Sequence, residues 1–421
     1  MKYYLNDPST PELFEEIQLP SALPNPPFSV NGANTSAEYP EGTSGYRANG
    51  CLVSIANSLS HLQTILSLNK WASTNKLIVV PEAGKQLNAY YDKNSLKFFF
   101  EHDAILNKTV YTSDSRDVVC HELGHAILDA IRPDLWNMAS LEIWAFHEAF
   151  GDINSMISIM QYDKVLNNAL EKTNGDLTKP NVISSIAEEM GKVFFKNNNP
   201  LREATKIYFY KNPQELPKTG TSEEIFAECH SFGKIFMTSW YECFAKIYAY
   251  ESEKMAGIEA IKKARDNMAS YLYAAIKSAP KQNQFTPVVA RILANSAKSV
   301  NPIHGEICEA VLRNRKLIVD QVGVLQIKTV NFNSVKTIKL SEHLVGELSS
   351  DFVHPLFDAE IEVPGDNYYE FDKSENIIFG IEHDDKKLVY STLLCIEHLK
   401  TGILNGMWKI EDNKLSRNFM A

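Results

Sequence analysis

The chain has 421 residues, a formal net charge of −10, 44% hydrophobic residues and 22% charged residues. This is an ordinary composition for a globular protein, and the length predicts two or three domains with ample buried core. No lysine- or arginine-rich block stands out, which argues against nucleic-acid or anionic-membrane partners, and no segment approaches the apolar length of a membrane span.

The amino terminus, MKYYLNDPST, has no apolar stretch after its single lysine and does not read as a secretory signal peptide. Cys51, Cys120, Cys229, Cys243, Cys308 and Cys395 are scattered, with no CxxC pair. That spacing favours buried or free thiols in a reducing compartment over a disulfide framework. The expected location is therefore cytoplasmic, or secreted if a leader precedes this sequence or export is non-classical.

Residues 1–50 are rich in Pro, Ser, Asn and Gly without a sustained period and read as an extended arm. Residues 51–70 place Leu52, Ile55, Leu59, Leu62 and Leu66 at helical spacing. The strand-like runs KLIVV and SLKFFF follow, flanking Gln86–Asn94, so 51–132 is expected to form an α/β lobe. From Ser115 to about Val300 the pattern is mostly helical, with loops near Asn174 and Asn197–Pro200, which predicts a helical lobe over 133–315. After Leu317 the segments VGVLQIKTV, VKTIKL, AEIEV, NIIFGI and KLVYSTLLCI predict a β-rich domain over 316–421. The expected class is α+β.

DVVCHELGHAILDAI is helix-like and ends at Pro133. His121 and His125 are four residues apart within it, so both imidazoles leave one helical face a turn apart and can occupy two corners of a tetrahedral zinc site. Glu122 is offset from that face, where a carboxylate reaches a metal-bound water without becoming a ligand. Gly124 allows a close approach by another backbone or a substrate.

A catalytic zinc needs a third protein ligand and an open position. Glycine and histidine are absent from Leu128 and Ile131, where a metzincin continuation would need them. Glu148, in the helix-like run WAFHEAFGDINSM, is the preferred third ligand, with Glu142 as a rival. Asp152 follows Glu148 by one helical turn and is placed to accept from the outer nitrogen of a ligand histidine; Asp129 stands in the same relation to His125. His147 points elsewhere on the helix and reads as structural or supporting.

These segments resemble the thermolysin-like metallopeptidases of the gluzincin group over about residues 86–241. DVVCHELGHAILD is similar to their zinc helix and HEAFGD to their N-E-A-x-S-D segment. Asn88-Ala89-Tyr90-Tyr91 resembles the N-A-F-W edge that pairs with the substrate backbone. Arg202 and His230 stand where the family has a substrate-binding arginine and a histidine that stabilises the tetrahedral intermediate.

The resemblance implies a two-lobed α+β core, one catalytic Zn2+ and hydrolysis of internal peptide bonds in a peptide or protein substrate. It implies that Trp136 stands in for a tyrosine near the oxyanion. It also marks departures. Ile225 occupies the place of the aspartate that orients the histidine, leaving Glu224 or Glu228 to substitute. Asp117 matches a calcium position, but Ile159 stands where a further acid belongs, which counts against a structural Ca2+. The prosegment is missing, so an autoinhibitory or partner contact through the β-rich tail is a further expectation. Two competing readings are an aminopeptidase, for which NAYYD replaces the expected G-x-M-E-N segment, and a binding protein that kept the fold and acts through its tail.

Overall fold

The computed structural model describes residues 2–319 except 105, 137–139, 282 and 283, together with four short strands further along the chain. The first elements are a hairpin-like pair, Lys2–Tyr4 (β1) against Phe14–Glu16 (β2), then the strand Phe28–Val30 (β3) and the long helix Ser44–Ile65 (α1). Thr43 caps α1 by accepting from the Tyr46 N–H. The helix anticipated over 51–70 thus begins earlier. The expected extended arm to residue 50 is corrected, because its last residues are the first turns of α1.

The amino-terminal lobe is built on the strands Leu77–Val80 (β4), Ala89–Tyr91 (β5) and Ser95–Phe98 (β6). With β3 they form a four-stranded sheet in the order β3-β4-β6-β5, parallel except where β5 runs against β6. Strands β5 and β3 are therefore the two edges of this sheet among the described residues. The alternation of Ala89 and Tyr91 inward with Tyr90 partly exposed follows the period of two of a half-buried strand. A separate ribbon pairs Phe100–Asp103 (β7) with Lys108–Tyr111 (β8).

The helical lobe contains Arg116–Ile131 (α2), Leu141–Ile159 (α3) and Asp163–Thr173 (α4), the last ended by Asn174 in the left-handed conformation that asparagine tolerates. Ser185–Ile186 (β9) pairs with Arg202–Glu203 (β10), the two flanking the short helix Glu188–Phe195 (α5). Cys229–Ser252 (α6), Gly257–Ser278 (α7), Phe285–Val300 (α8) and Pro302–Asn314 (α9) complete it. Helix α3 lies between α2 and α6, and its residues Ile143, Phe146, Phe150, Ile153 and Met156 are almost wholly buried. An apolar helix covered all round is what the run LEIWAFHEAFGDINSM requires.

Strands Val335–Lys339 (β11), Glu360–Pro364 (β12), Trp408–Glu411 (β13) and Lys414–Arg417 (β14) are also placed. VKTIKL and AEIEV fall on the first two. The other anticipated strands, and the β-rich domain expected over 316–421, lie outside the described residues. No helix among the described residues is long and apolar enough to cross a membrane.

The start of the chain is part of the folded body. Leu5, Asn6 and Asp7 are fully buried, and the Asn6 carbonyl accepts from the backbone N–H groups of Arg116 and Asp117 at 2.6 and 3.3 Å. It thereby satisfies donors that the first turn of α2 leaves open. Leu5→Ala is expected to cost about 2–5 kcal/mol, the range for truncating a fully buried leucine. A denaturant midpoint unchanged from the parent would show that this segment is not core.

Candidate metal centre

Two features place α2. Ser115 caps it by accepting from the Val118 N–H, and α3 reaches across to it. Asn154 donates to the Cys120 carbonyl at 2.7 Å and Ser155 to the Asp117 carbonyl at 2.9 Å. The helices meet at two glycines. A Cβ on Gly124 would lie 2.8 Å from the Gly151 Cα, and one on Gly151 would lie 2.8 Å from the His121 ring. On the other side of α3, a Cβ on Gly233 would lie 2.7 Å from the Ala145 carbonyl and 3.1 Å from the Glu148 Cβ. A side chain would press on backbone at Gly124 and Gly233 and on the His121 ring at Gly151, so glycine is favoured at these three positions.

That approach brings one donor atom from each of His121, His125 and Glu148 within 4.8 Å of the others, at most 2% exposed in each case. His121 Nε2 is 3.4 Å and His125 Nε2 4.0 Å from the two Glu148 oxygens. The imidazole–imidazole–carboxylate set suits zinc by ligand type. His121 Nδ1 lies 2.9 Å from Asp152 Oδ1, the outer contact that orients a ligand histidine.

Glu122 is fully buried beside this group, and neither of its carboxylate oxygens has a hydrogen-bond partner among the described residues. A buried carboxylate left so is costly unless a cation or a proton compensates it. Burial pushes the Glu122 carboxyl up to about 8, with His121 opposing and Glu148 adding to the shift. Burial would lower His121, but the Asp152 and Glu148 carboxylates push it up to about 9. A divalent cation on these residues fits the donor set and would draw both values down.

His230, at the start of α6, reaches the same carboxylate: its Nε2 is 3.3 Å from Glu148 Oε2. Its Nδ1 is 2.6 Å from Glu228 Oε1. Glu228 also accepts from the backbone N–H groups of His230 and Ser231, so one carboxylate caps the helix and orients the histidine. Burial acts against ionisation of Glu228, yet His230 and those N–H groups hold it well below the usual carboxylate range. Glu224, the other acid available from sequence, instead accepts from the Thr221 N–H in an exposed loop.

Arg202, 6% exposed, sits on β10 with Nη1 3.2 Å from Asp152 Oδ1 and Nη2 3.8 Å from Glu148 Oε2. Asn88 and Ala89 lie on or beside the edge strand β5, which packs on α2. The Asn88 Oδ1 accepts from the Ala89 N–H at 2.9 Å. Asp129 accepts from the Tyr91 hydroxyl at 2.9 Å. Trp136 packs edge-on against Tyr91 and His147, with His147 in turn 5.9 Å from the His125 ring.

Glu142, the rival ligand, is held elsewhere. It accepts from the Tyr210 hydroxyl at 2.5 Å and from the Thr286 N–H at 3.1 Å, tying α3 to the chain before α6 and to α8. Burial pushes its carboxyl up to about 8. Asp117, for which no later acid was evident, meets Asp7 and Glu188, one oxygen of each lying within 4.8 Å of the others. An all-oxygen set is what a hard cation such as calcium takes. Sequence reading missed this because Asp7 and Glu188 lie far from Asp117 along the chain. The five described cysteines are buried and free, as anticipated for Cys51, Cys120, Cys229, Cys243 and Cys308.

Comparison with models of known protein families finds no match, and no curated protein matches the chain.

Two expectations follow. Gly151→Ala displaces the His121 ring, and zinc affinity, measured by competition with a chromophoric chelator, is expected to fall by about 10–100-fold or more. Unchanged affinity would mean that the helices can part without cost. A Glu142 carboxyl raised in the folded state draws stability away as pH rises from its unfolded value near 4.5 to its folded value near 8. Glu142→Gln should therefore match the parent in thermal unfolding at pH 4 and exceed it at pH 8. A gap that does not grow over that interval would refute the assignment.

Proposed function

We propose that this chain is a zinc-dependent endopeptidase of the thermolysin-like type, hydrolysing internal peptide bonds. The observation that carries the reading is the Glu122 carboxylate, fully buried and without a hydrogen-bond partner among the described residues, beside the His121, His125 and Glu148 donors. A structural zinc site has no use for such a group, whereas a hydrolase needs one within reach of a water.

His121, His125 and Glu148 would hold the zinc, which when bound polarises a carbonyl and acidifies a water. Glu122 takes the water proton and delivers it to the leaving amine. His230, although burial would lower it, is pushed well above the usual imidazole range by Glu148 and Glu228. Its Nε2 would donate to the developing oxyanion. Arg202, braced on Asp152, would hold a substrate carbonyl, and Trp136, packed edge-on against His147, would stand near the oxyanion. An extended peptide adds to the outer edge of β5 at Asn88 and Ala89, in the manner of strand addition.

The test is cleavage of casein and of a blocked peptide library by the parent and by Glu122→Gln. The variant is expected to lose about 10²–10⁴-fold in rate while keeping one zinc per chain by metal analysis. Cleavage at the parental rate would overturn the mechanism.

A further inference from the structure

A small cavity lies where β1, α1 and the start of α2 meet. Its walls include Tyr46 and Arg47 of α1, Ser113 and Asp114 from the turn before α2, and Arg116, the first residue of α2. The centre of a water-sized sphere has about 10 Å3 in which to move, room for one water or one monatomic ion but not for phosphate or sulfate.

The lining is short of partners. Arg116 Nε, the Tyr46 hydroxyl, Ser113 Oγ and Asp114 Oδ1 have no hydrogen-bond partner among the described residues, and Tyr46, Ser113 and Arg116 are each at most 4% exposed. The first three of these groups can donate. Arg116 also lacks a counter-charge. Its Nη1 donates to the Tyr162 hydroxyl and its guanidinium lies 4.7 Å from the centre of that ring, both contacts with a neutral side chain. Among the described residues no carboxylate oxygen is within ion-pair distance of it. Burial pulls the guanidinium down to about 10, which leaves it charged at neutral pH. Arg47 differs, because Glu82 Oε1 sits 2.6 Å from its Nε. A buried charge without a partner is costly. A water would accept from Nε and leave that charge standing, whereas an anion removes both deficits.

We propose that this cavity is a halide site, taking chloride on Arg116 Nε with the Tyr46 and Ser113 hydroxyls as further donors. The ion ties α1 to the first residue of α2, ahead of the candidate ligands His121 and His125. Asp114, the acid in the lining, lies 3.8 Å from Arg47 Nη1, and burial pushes its carboxyl up to about 7 against the pull of Arg47, so it can meet the ion in its neutral form. Its side chain is 18% exposed, which marks the side by which the ion exchanges with solvent. The site does not rest on the peptidase reading.

The experiment is thermal unfolding of the full chain as sodium chloride replaces sodium gluconate at constant ionic strength. The midpoint is expected to rise saturably with chloride, by at least about 2 °C, as a ligand bound only by the folded state requires. Arg116→Met, which removes the charge, should abolish the rise. Tyr46→Phe, which removes one hydroxyl, should raise the chloride concentration for half the effect by about 10-fold or more, the loss of one hydrogen bond to a charged group. Should Arg116→Met fail to fold, Tyr46→Phe carries the comparison alone. In crystals of the full chain grown from sodium bromide, an anomalous-scattering peak is expected beside Arg116 Nε. Equal midpoints in the two salts would overturn the site and leave a cavity for water. A chloride effect of unchanged size and concentration dependence in the variants would also overturn it, as a general salt effect, and so would bromide crystals with no peak in the cavity.

Discussion

The centre depends on how closely three helices approach. Gly124 on α2 meets Gly151 on α3, and Gly233 on α6 meets the Ala145 carbonyl on the other side of α3. At these points there is no room for a methyl group. A larger residue at Gly124 or Gly233 would press on the facing backbone, and one at Gly151 on the His121 ring, so the grouping of His121, His125, Glu148 and His230 would be disturbed. The glycines cost helix propensity, roughly 1 kcal/mol each relative to alanine. The extensive apolar packing of α3 between its neighbours supports that cost.

Bringing the helices together buries charge, and the neighbouring elements are arranged around it. Glu122, Glu148 and Asp152 are almost wholly removed from solvent. Arg202 supplies one fixed positive charge and bridges Asp152 to Glu148. His121 and His230 are both driven toward the protonated state by the carboxylates that face them. A divalent cation offsets the remainder at less cost than further side chains, because it needs no rotamer ordering of its own. This electrostatic need, more than the count of histidines, is what makes the group a candidate for a metal ion.

The same principle applies at the far end of α2. Asn6 and Asp7 from the beginning of the chain close the first turn of the helix, and Asp7 joins Asp117 and Glu188 while accepting from the Glu189 N–H at 3.0 Å. The amino-terminal segment thereby links α2 to α5, the helix that leads toward Arg202. The first turn of α2 is thus fixed by polar contacts, and the candidate ligand histidines follow it.

The candidate metal-binding helix was legible in the sequence because its information is local. His121 and His125 share a face by helical period alone, and Glu148 with Asp152 repeats that spacing one helix later. The α+β class and most of the helices were legible for the same reason, since apolar periodicity records which face is buried. What required the tertiary structure was every choice between equivalent acids. Glu228 rather than Glu224 orients His230 because it alone occupies the cap of α6, and Glu142 is excluded as a ligand because Tyr210 and Thr286 hold it away. The partners of Asp117 were hidden because Asp7 and Glu188 are brought to it by the chain's long-range path, which no local spacing encodes. A sequence specifies which groups can do the chemistry; only packing decides which of them meet.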